Sequence, residues 1–163
     1  MDKRIEKIKG FRTFLLHQIE ELTIDQLNKI PEGFNNNIIW NIAHMICTEQ
    51  IVCYVRSNLP VIIEDKYFSP YFPGTRPTSV VDETDVTIIK EFFISTIDQL
   101  NADLDHNAFA NYTPSVAIPK TYGFEVNNID DALEYLLYHE GLHSGYVTFL
   151  KRMVTEEFLP LRH

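Results

Sequence analysis

The chain is short of positive charge: 14 Lys and Arg stand against 23 Asp and Glu, for a net charge of -9. No predicted helix carries a basic stripe, so the attraction to phosphate that drives nucleic-acid binding is missing. The same deficit argues against an anionic membrane surface as partner. Cysteine is scarce as well, with only Cys47 and Cys53, six residues apart in one predicted helix. Six helical residues rotate by about 240° net, which points the two thiols to different faces and suits them to burial rather than to a disulfide. No run approaches the roughly 18 apolar residues that a membrane span needs. Nor is Met1-Asp2-Lys3-Arg4 followed by an apolar stretch of signal-peptide length. These absences predict a cytoplasmic protein. With 163 residues, 45% of them hydrophobic, the chain is long enough to bury one core without staples, so a single domain over residues 1–163 is expected.

Four segments carry helical periodicity. The first runs from about Lys3 to Leu22, with Ile5, Ile8, Phe11 or Arg12, Leu15, Leu16, Ile19 and Leu22 recurring at three and four. Thr23-Ile24-Asp25-Gln26 then matches a capping box, and Ile30-Pro31-Glu32-Gly33 breaks the chain. The second helix is expected from Asn35–Asn37 to about Ser57, ended by Asn58 to Pro60. Residues 60–80 hold four of the eight prolines and the aromatic run around Tyr67, Phe68, Tyr71 and Phe72, an irregular excursion of the kind that forms lids or packed connections. Asp82 or Thr84 opens the third helix, to about Leu104, and residues 106–127 suggest a small hairpin or an extended crossover. Asn127-Asn128-Ile129-Asp130-Asp131 starts the fourth helix, which continues to about Val154. Four helices with two long connections predict an all-α fold, a four-helix bundle with crossover topology.

The histidines say more. His139 and His143 are four residues apart in the fourth helix, so both imidazoles leave the same face about one turn apart. That spacing lets two neutral nitrogens converge on one metal ion, and His44 on the second helix is the candidate third ligand. Three protein ligands leave a reactive open position, whereas a structural zinc site would be closed by four. His17, His106 and His163 have no spaced partners and are expected to be structural or exposed.

Two elements, Trp40-Asn41-Ile42-Ala43-His44 and His139-Glu140-Gly141-Leu142-His143-Ser144-Gly145-Tyr146-Val147, together with the helix pattern, resemble the DinB-like superfamily of small four-helix bundle metalloproteins. Asn37-Ile38-Ile39-Trp40, with Pro31-Glu32-Gly33-Phe34 before it, looks like that family's passage into its second helix. The resemblance spans nearly the whole chain. It implies that His44, His139 and His143 bind a divalent transition metal, typically zinc or nickel. Family members of known chemistry include transferases and isomerases that use a low-molecular-weight thiol, held on the metal as thiolate.

His139-Glu140-Gly141-Leu142-His143 is also literally the HExxH of zinc proteases, with Glu as general base. Several facts oppose that reading. Tyr146 and Phe149 stand where the metzincin extension needs Gly and His, and only twenty residues follow His143, with Glu156 and Glu157 too close behind to serve as a distal ligand. Glu140, about 100° from His139 on the wheel, is expected to be a surface carboxylate, a partner behind a ligand or a proton-transfer group.

The functional expectation is therefore a metal-dependent enzyme of thiol-transferase or hydrolase type acting on a small molecule. The alternative is a non-catalytic metal-binding or stress-response bundle. Tyr67, Phe68, Tyr71 and Phe72 would separate the two: walling a pocket over the metal favours the enzyme, packing flat on another subunit favours the binding protein, and plain core filling favours neither. Eleven Phe and eight Tyr are generous for one small bundle, and the superfamily frequently pairs, so a homodimer is expected, its interface near the metal cleft.

Overall fold

A computed structural model of the chain describes residues 1–155. Glu156, Glu157 and His163 lie outside the described residues. Helix α1 (Lys3–Ile19) starts at Asp2, whose carboxylate accepts from the Arg4 N–H at 2.7 Å. Its buried row is Ile5, Ile8, Arg12, Leu15 and Ile19, so the core register takes Arg12 and leaves Phe11 exposed. The helix stops at Ile19, a turn short of the expected Leu22. The capping box forms as expected: Thr23 and Gln26 exchange side-chain to backbone bonds and open the short α2 (Ile24–Asn28).

α3 (Ile38–Glu49) is capped by Asn37, which accepts from the Trp40 N–H at 2.8 Å, and every residue of it is buried. The helical path does run to Ser57, but not as one α-helix. It widens to a π-turn over Gln50–Tyr54, tightens to a 3₁₀ turn over Val55–Ser57, and ends at Asn58 with φ +57°. Against the sequence expectation, Ile38–Ser57 is long and apolar enough to cross a membrane by length and composition. Yet 89% of its most apolar window is buried inside the fold, the position of a core helix.

Residues 60–80 hold only two 3₁₀ turns, Asp65–Tyr67 and Ser69–Tyr71. α4 (Glu83–Asp105) is capped by Asp82 and buries Val86, Ile89, Phe93, Ile97 and Leu100. The hairpin or extended crossover expected over 106–127 is not there. A one-and-a-half-turn helix α5 (Ala117–Tyr122) replaces it, because Pro119 is tolerated in a first turn and Gly123 takes the left-handed cap at φ +79°. α6 (Ile129–Thr155) completes the chain, and no strand occurs among the described residues.

The four long helices pack in a cycle: α1 on α6, α6 on α3, α3 on α4 and α4 on α1. Two apolar clusters fill the interior. One gathers Leu15, Ile39, Ile89 and Leu150, the other Ile8, Cys53, Ile97 and Leu136. Between Ile8 and Leu15, Arg12 sets a polar layer. Its Nη1 donates to Glu49 Oε2 at 2.8 Å and to the Phe93 carbonyl at 3.1 Å, and its Nη2 donates to Glu140 Oε1 at 2.7 Å. Thr96 adds a donated bond to Glu49 at 2.9 Å, so all four long helices meet at one guanidinium. Arg12, Glu49 and Glu140 have no exposed surface. Glu140 is thus not the surface carboxylate that the sequence suggested. Burial pushes both carboxyls up, against the pull of Arg12.

Candidate metal centre

Helical spacing builds the site from two faces. On α3, Asn37, Asn41, His44 and Thr48 follow one another at three and four residues, and on α6 His139 and His143 do the same. The packing of α3 on α6 brings the faces together. Ring centroids lie 5.2 Å apart for His44 and His139, 4.8 Å for His44 and His143, and 4.4 Å for His139 and His143. One nitrogen from each ring falls within 4.8 Å of the other two, a group that could hold a metal ion.

The surrounding hydrogen bonds aim the rings. His44 Nδ1–H donates to the Tyr71 carbonyl at 2.7 Å, which leaves Nε2 as the atom with a free lone pair. His143 Nδ1–H donates to Asn41 Oδ1 at 2.8 Å, again freeing Nε2. Asn41 is oriented for this because its amide N–H donates to the Asn37 carbonyl at 2.7 Å. Partners of this sort fix the tautomer and direction of a ligating histidine. Trp40 stacks on His44 at 4.6 Å and 10° between planes, closing one side of the ring.

A cation fits what remains. Thr48 Oγ1 stands 3.5 Å from His44 Nε2 and 3.4 Å from His139 Nε2, and one hydroxyl has one proton for two such nitrogens. His139 Nδ1 is buried with no hydrogen-bond partner among the described residues. Desolvation lowers all three imidazole pKa values, helped at His139 and His143 by neighbouring histidines: His143 falls to about 3, His44 below its ordinary value and His139 well below it. At neutral pH the three rings are uncharged and carry unshared lone pairs in a buried space, the state in which imidazole binds metal. The cysteines take no part: both are buried free thiols, and burial pushes Cys47 up to about 12.

One side of the centre is open. A cleft of about 440 Å³ is walled by Trp40, His44, His143, Tyr146, Leu150 and the chain at 33–36, and among the described residues none that lines it is Lys, Arg, Asp or Glu. Pro73 and Gly74 close it from residues 60–80, with Gly33 at φ +83° and Gly74 at φ +85° letting both loops bend past the mouth. Of the three placements weighed for Tyr67, Phe68, Tyr71 and Phe72, core filling is the one seen, and none of the four is among the lining. Tyr67 and Tyr71 are buried in the apolar core, Phe68 packs against it, and Phe72 stands on Phe68. That excursion serves the centre through its backbone instead, by the Tyr71 carbonyl.

His17 is exposed and pairs with Glu20, and His106 is exposed and donates to the Ala102 carbonyl, as expected for histidines outside the site. Asn41 and Thr48 were not singled out from sequence, and Tyr71 was singled out only for its aromatic side chain, not for the carbonyl that holds His44. Asn41 had a readable signal, since it lies four residues after the capping Asn37 and three before His44 on one helix face. Replacing Asn41 by Ala is expected to weaken metal affinity about 10- to 100-fold, measured by competition with a chromophoric chelator, because His143 then loses the bond that holds its tautomer.

A match to the family model described as DinB superfamily covers residues 9–147, which contain all three histidines. The chain belongs to the DinB superfamily. No curated protein and no solved structure matches it. Membership and the three-histidine cluster together point this DinB protein to metal binding.

Proposed function

We propose that this DinB-superfamily chain is a single four-helix bundle domain with crossover connections, working as a metal-dependent enzyme of thiol-transferase or hydrolase type. His44, His139 and His143 hold one divalent transition metal, zinc or nickel. The observation that carries the reading is the open side of the cluster: His44 and His143, grouped with the more deeply buried His139, line a cleft of about 440 Å³ with no Lys, Arg, Asp or Glu among its described lining residues, large enough for a small molecule. A divalent ion held there lowers the pKa of a bound water or a low-molecular-weight thiol and so supplies a nucleophile at neutral pH. The chain's own part is to orient and to exclude water. Tyr71 and Asn41 fix the rings, while Trp40, Tyr146 and Leu150 give the cleft apolar walls against which a neutral substrate packs. With both cysteines free, the reading places the protein in a reducing compartment, the cytoplasm.

The non-catalytic alternative has one observation in its favour. Beyond the histidines, Tyr146 is the only titratable side chain among the described residues that line the cleft, so they offer few proton-transfer groups. The protease reading loses its base: Glu140 is fully buried and bonded to Arg12 by Nε at 3.1 Å and Nη2 at 2.7 Å. Elemental analysis is expected to find about one metal per chain in the wild type and a large loss in His44→Ala. Glu140→Gln is expected to keep its metal, with no peptidase activity on casein in either form. A thiol titrated into nickel-loaded protein should then produce a thiolate charge-transfer band if the thiol chemistry is right, and none if the protein only stores or senses metal.

A further inference from the structure

A second cavity lies where the chain after α5 folds back onto α6, and it shares no described lining residue with the metal cleft. Its volume is about 180 Å³, below the roughly 300–1,000 Å³ of sites that enclose drug-sized molecules. Local sequence builds it. Asp131, Glu134, Tyr135 and Tyr138 follow one another at spacings that keep them on one side of α6. Facing them, Gly123 at φ +79° turns the chain so that the rings of Tyr122 and Phe124 come to lie together, 6.0 Å apart and 24° from parallel.

Among the described residues the cavity is lined by Phe124, Tyr135, Tyr138, Glu125, Asp131 and Glu134: three aromatic rings, three carboxylates, and no Lys, Arg or His. Phe124 stands 6.3 Å from Tyr135 at 49° between planes, and 6.4 Å from Tyr138 at 82°. Tyr122 backs the group, 5.6 Å from Tyr138 and at 73° to it. Rings set at such angles wall a corner instead of forming one flat patch. Tyr122, Phe124 and Tyr138 are 38%, 40% and 50% exposed, so the corner is open to solutes. A positive charge resting between Phe124 and either tyrosine falls within the roughly 6 Å over which an aromatic face attracts a cation.

The carboxylates say which solute fits. Asp131 is held in place, its Oδ2 accepting from the Asn127 N–H at 2.8 Å. None of Glu125, Asp131 and Glu134 forms an ion pair among the described residues. Nor do these three come close enough together to hold a metal ion, as the three histidines do, so they act on a cation as a negative field and not as ligands. A compact, strongly hydrated ion gains little by leaving water for ring faces. A quaternary ammonium group spreads its charge over methyl groups, is weakly hydrated, and packs against the rings.

We propose that this corner between α6 and residues 122–125 binds a small quaternary ammonium compound. Its N-methyl groups rest against Phe124, Tyr135 and Tyr138, and its charge faces Glu125, Asp131 and Glu134. The same carboxylates repel a phosphate carried beside the ammonium, so the ligand is a free cation and not a phosphocholine lipid headgroup. The site does not depend on the metal reading.

Titration of the full chain with choline in about 0.15 M potassium chloride tests this, followed by calorimetry and by the proton resonance of the N-methyl groups. Saturable binding is expected with a Kd of about 1 mM or tighter, and the N-methyl resonance should move upfield under the ring currents. Phosphocholine, and the neutral isostere of choline with carbon in place of the quaternary nitrogen, should each bind about ten-fold more weakly or worse. Tyr138→Leu is expected to weaken choline binding about ten-fold, while Tyr138→Phe stays within about two-fold of the wild type. Tyr138 is half exposed, so the fold tolerates both changes, and thermal melts check this. No saturation by about 20 mM choline overturns the proposal. So does equal affinity for the neutral isostere, or a folded Tyr138→Leu that binds as tightly as the wild type. Phosphocholine bound as tightly as choline overturns the assignment to a free cation.

Discussion

Replacing Arg12 by alanine is expected to lower the unfolding free energy by about 3–5 kcal/mol, with a fall in melting temperature of about 10 °C. The side chain has no exposed surface and makes bonds to α3, α4 and α6, so its loss strands Glu49 and Glu140 in the core together. The value of the ion pair as such is a smaller matter. What the variant suffers is the desolvation of two carboxyls left without a cation. The deficit should also depend on pH in a defined direction. Burial already raises both carboxyls above 4.5, so in the folded variant they take up protons before the unfolded chain does. Acidification from pH 7 toward 5 then stabilises Arg12→Ala relative to wild type, and the gap narrows without closing, since the cavity and the loss of the bond to the Phe93 carbonyl remain. Urea unfolding at several pH values measures this. A loss under about 1 kcal/mol, flat with pH, would mean that the layer is solvated like a surface pair.

Loading the chelated protein with zinc or nickel at 100 to 1,000 times the dissociation constant is expected to add about 3–4 kcal/mol of stability, a rise of roughly 6–16 °C in melting temperature. The three imidazoles are neutral at pH 7, so no proton has to leave before the ion binds. His139→Ala should abolish the gain, since its ring lies 5.2 Å from His44 and 4.4 Å from His143 and its Nδ1 has no partner among the described residues. Calorimetric melts of chelated and loaded wild type and variant give the answer. An equal gain in His139→Ala would place the metal elsewhere.

The histidines were legible because helical spacing is a strong geometric constraint: four residues on one helix leave little choice about which face His139 and His143 share. That His44 joins them came from the resemblance, since a helix buried on every side, as α3 is, does not itself say which neighbour each face meets. Glu140 was misread for a related reason. Its angle from His139 is readable, but where that angle points depends on what α1 presents, and the decisive residue is Arg12 in the row Ile5, Ile8, Leu15, Ile19. A charged side chain in a core register demands a buried counter-ion, as does Glu49 inside the apolar run of α3. Those two conflicts were visible in the sequence and pointed to each other.

Residues 60–80 are the irregular, packed connection expected, with the direction of their aromatics left open by the sequence, whereas the hairpin or crossover expected over 106–127 did not form. Tyr67 and Tyr71 go to the core because the 3₁₀ turns of residues 65–71 direct them inward, and nothing in local composition announces which way such a turn faces. The contribution of Tyr71 to the centre is a backbone carbonyl, which carries no residue-type signal at all. Alternation over 112–126 imitated strands, but Pro119 and Gly123 bracket a short helix that buries Ile118. The π-turn at Gln50–Tyr54 was likewise hidden, since its side chains keep an apolar pattern compatible with an ordinary helix.

Anomalous diffraction from crystals of metal-soaked protein, collected on both sides of the absorption edge of the added metal, tests the three-histidine centre most directly. The account predicts one peak per chain, bonded to a nitrogen of each of His44, His139 and His143 at about 2.0–2.1 Å, with no fourth protein ligand and an open side toward Trp40 and Tyr146. A peak at other residues, a fourth side chain closing the shell, or no peak at these histidines in excess metal would contradict it.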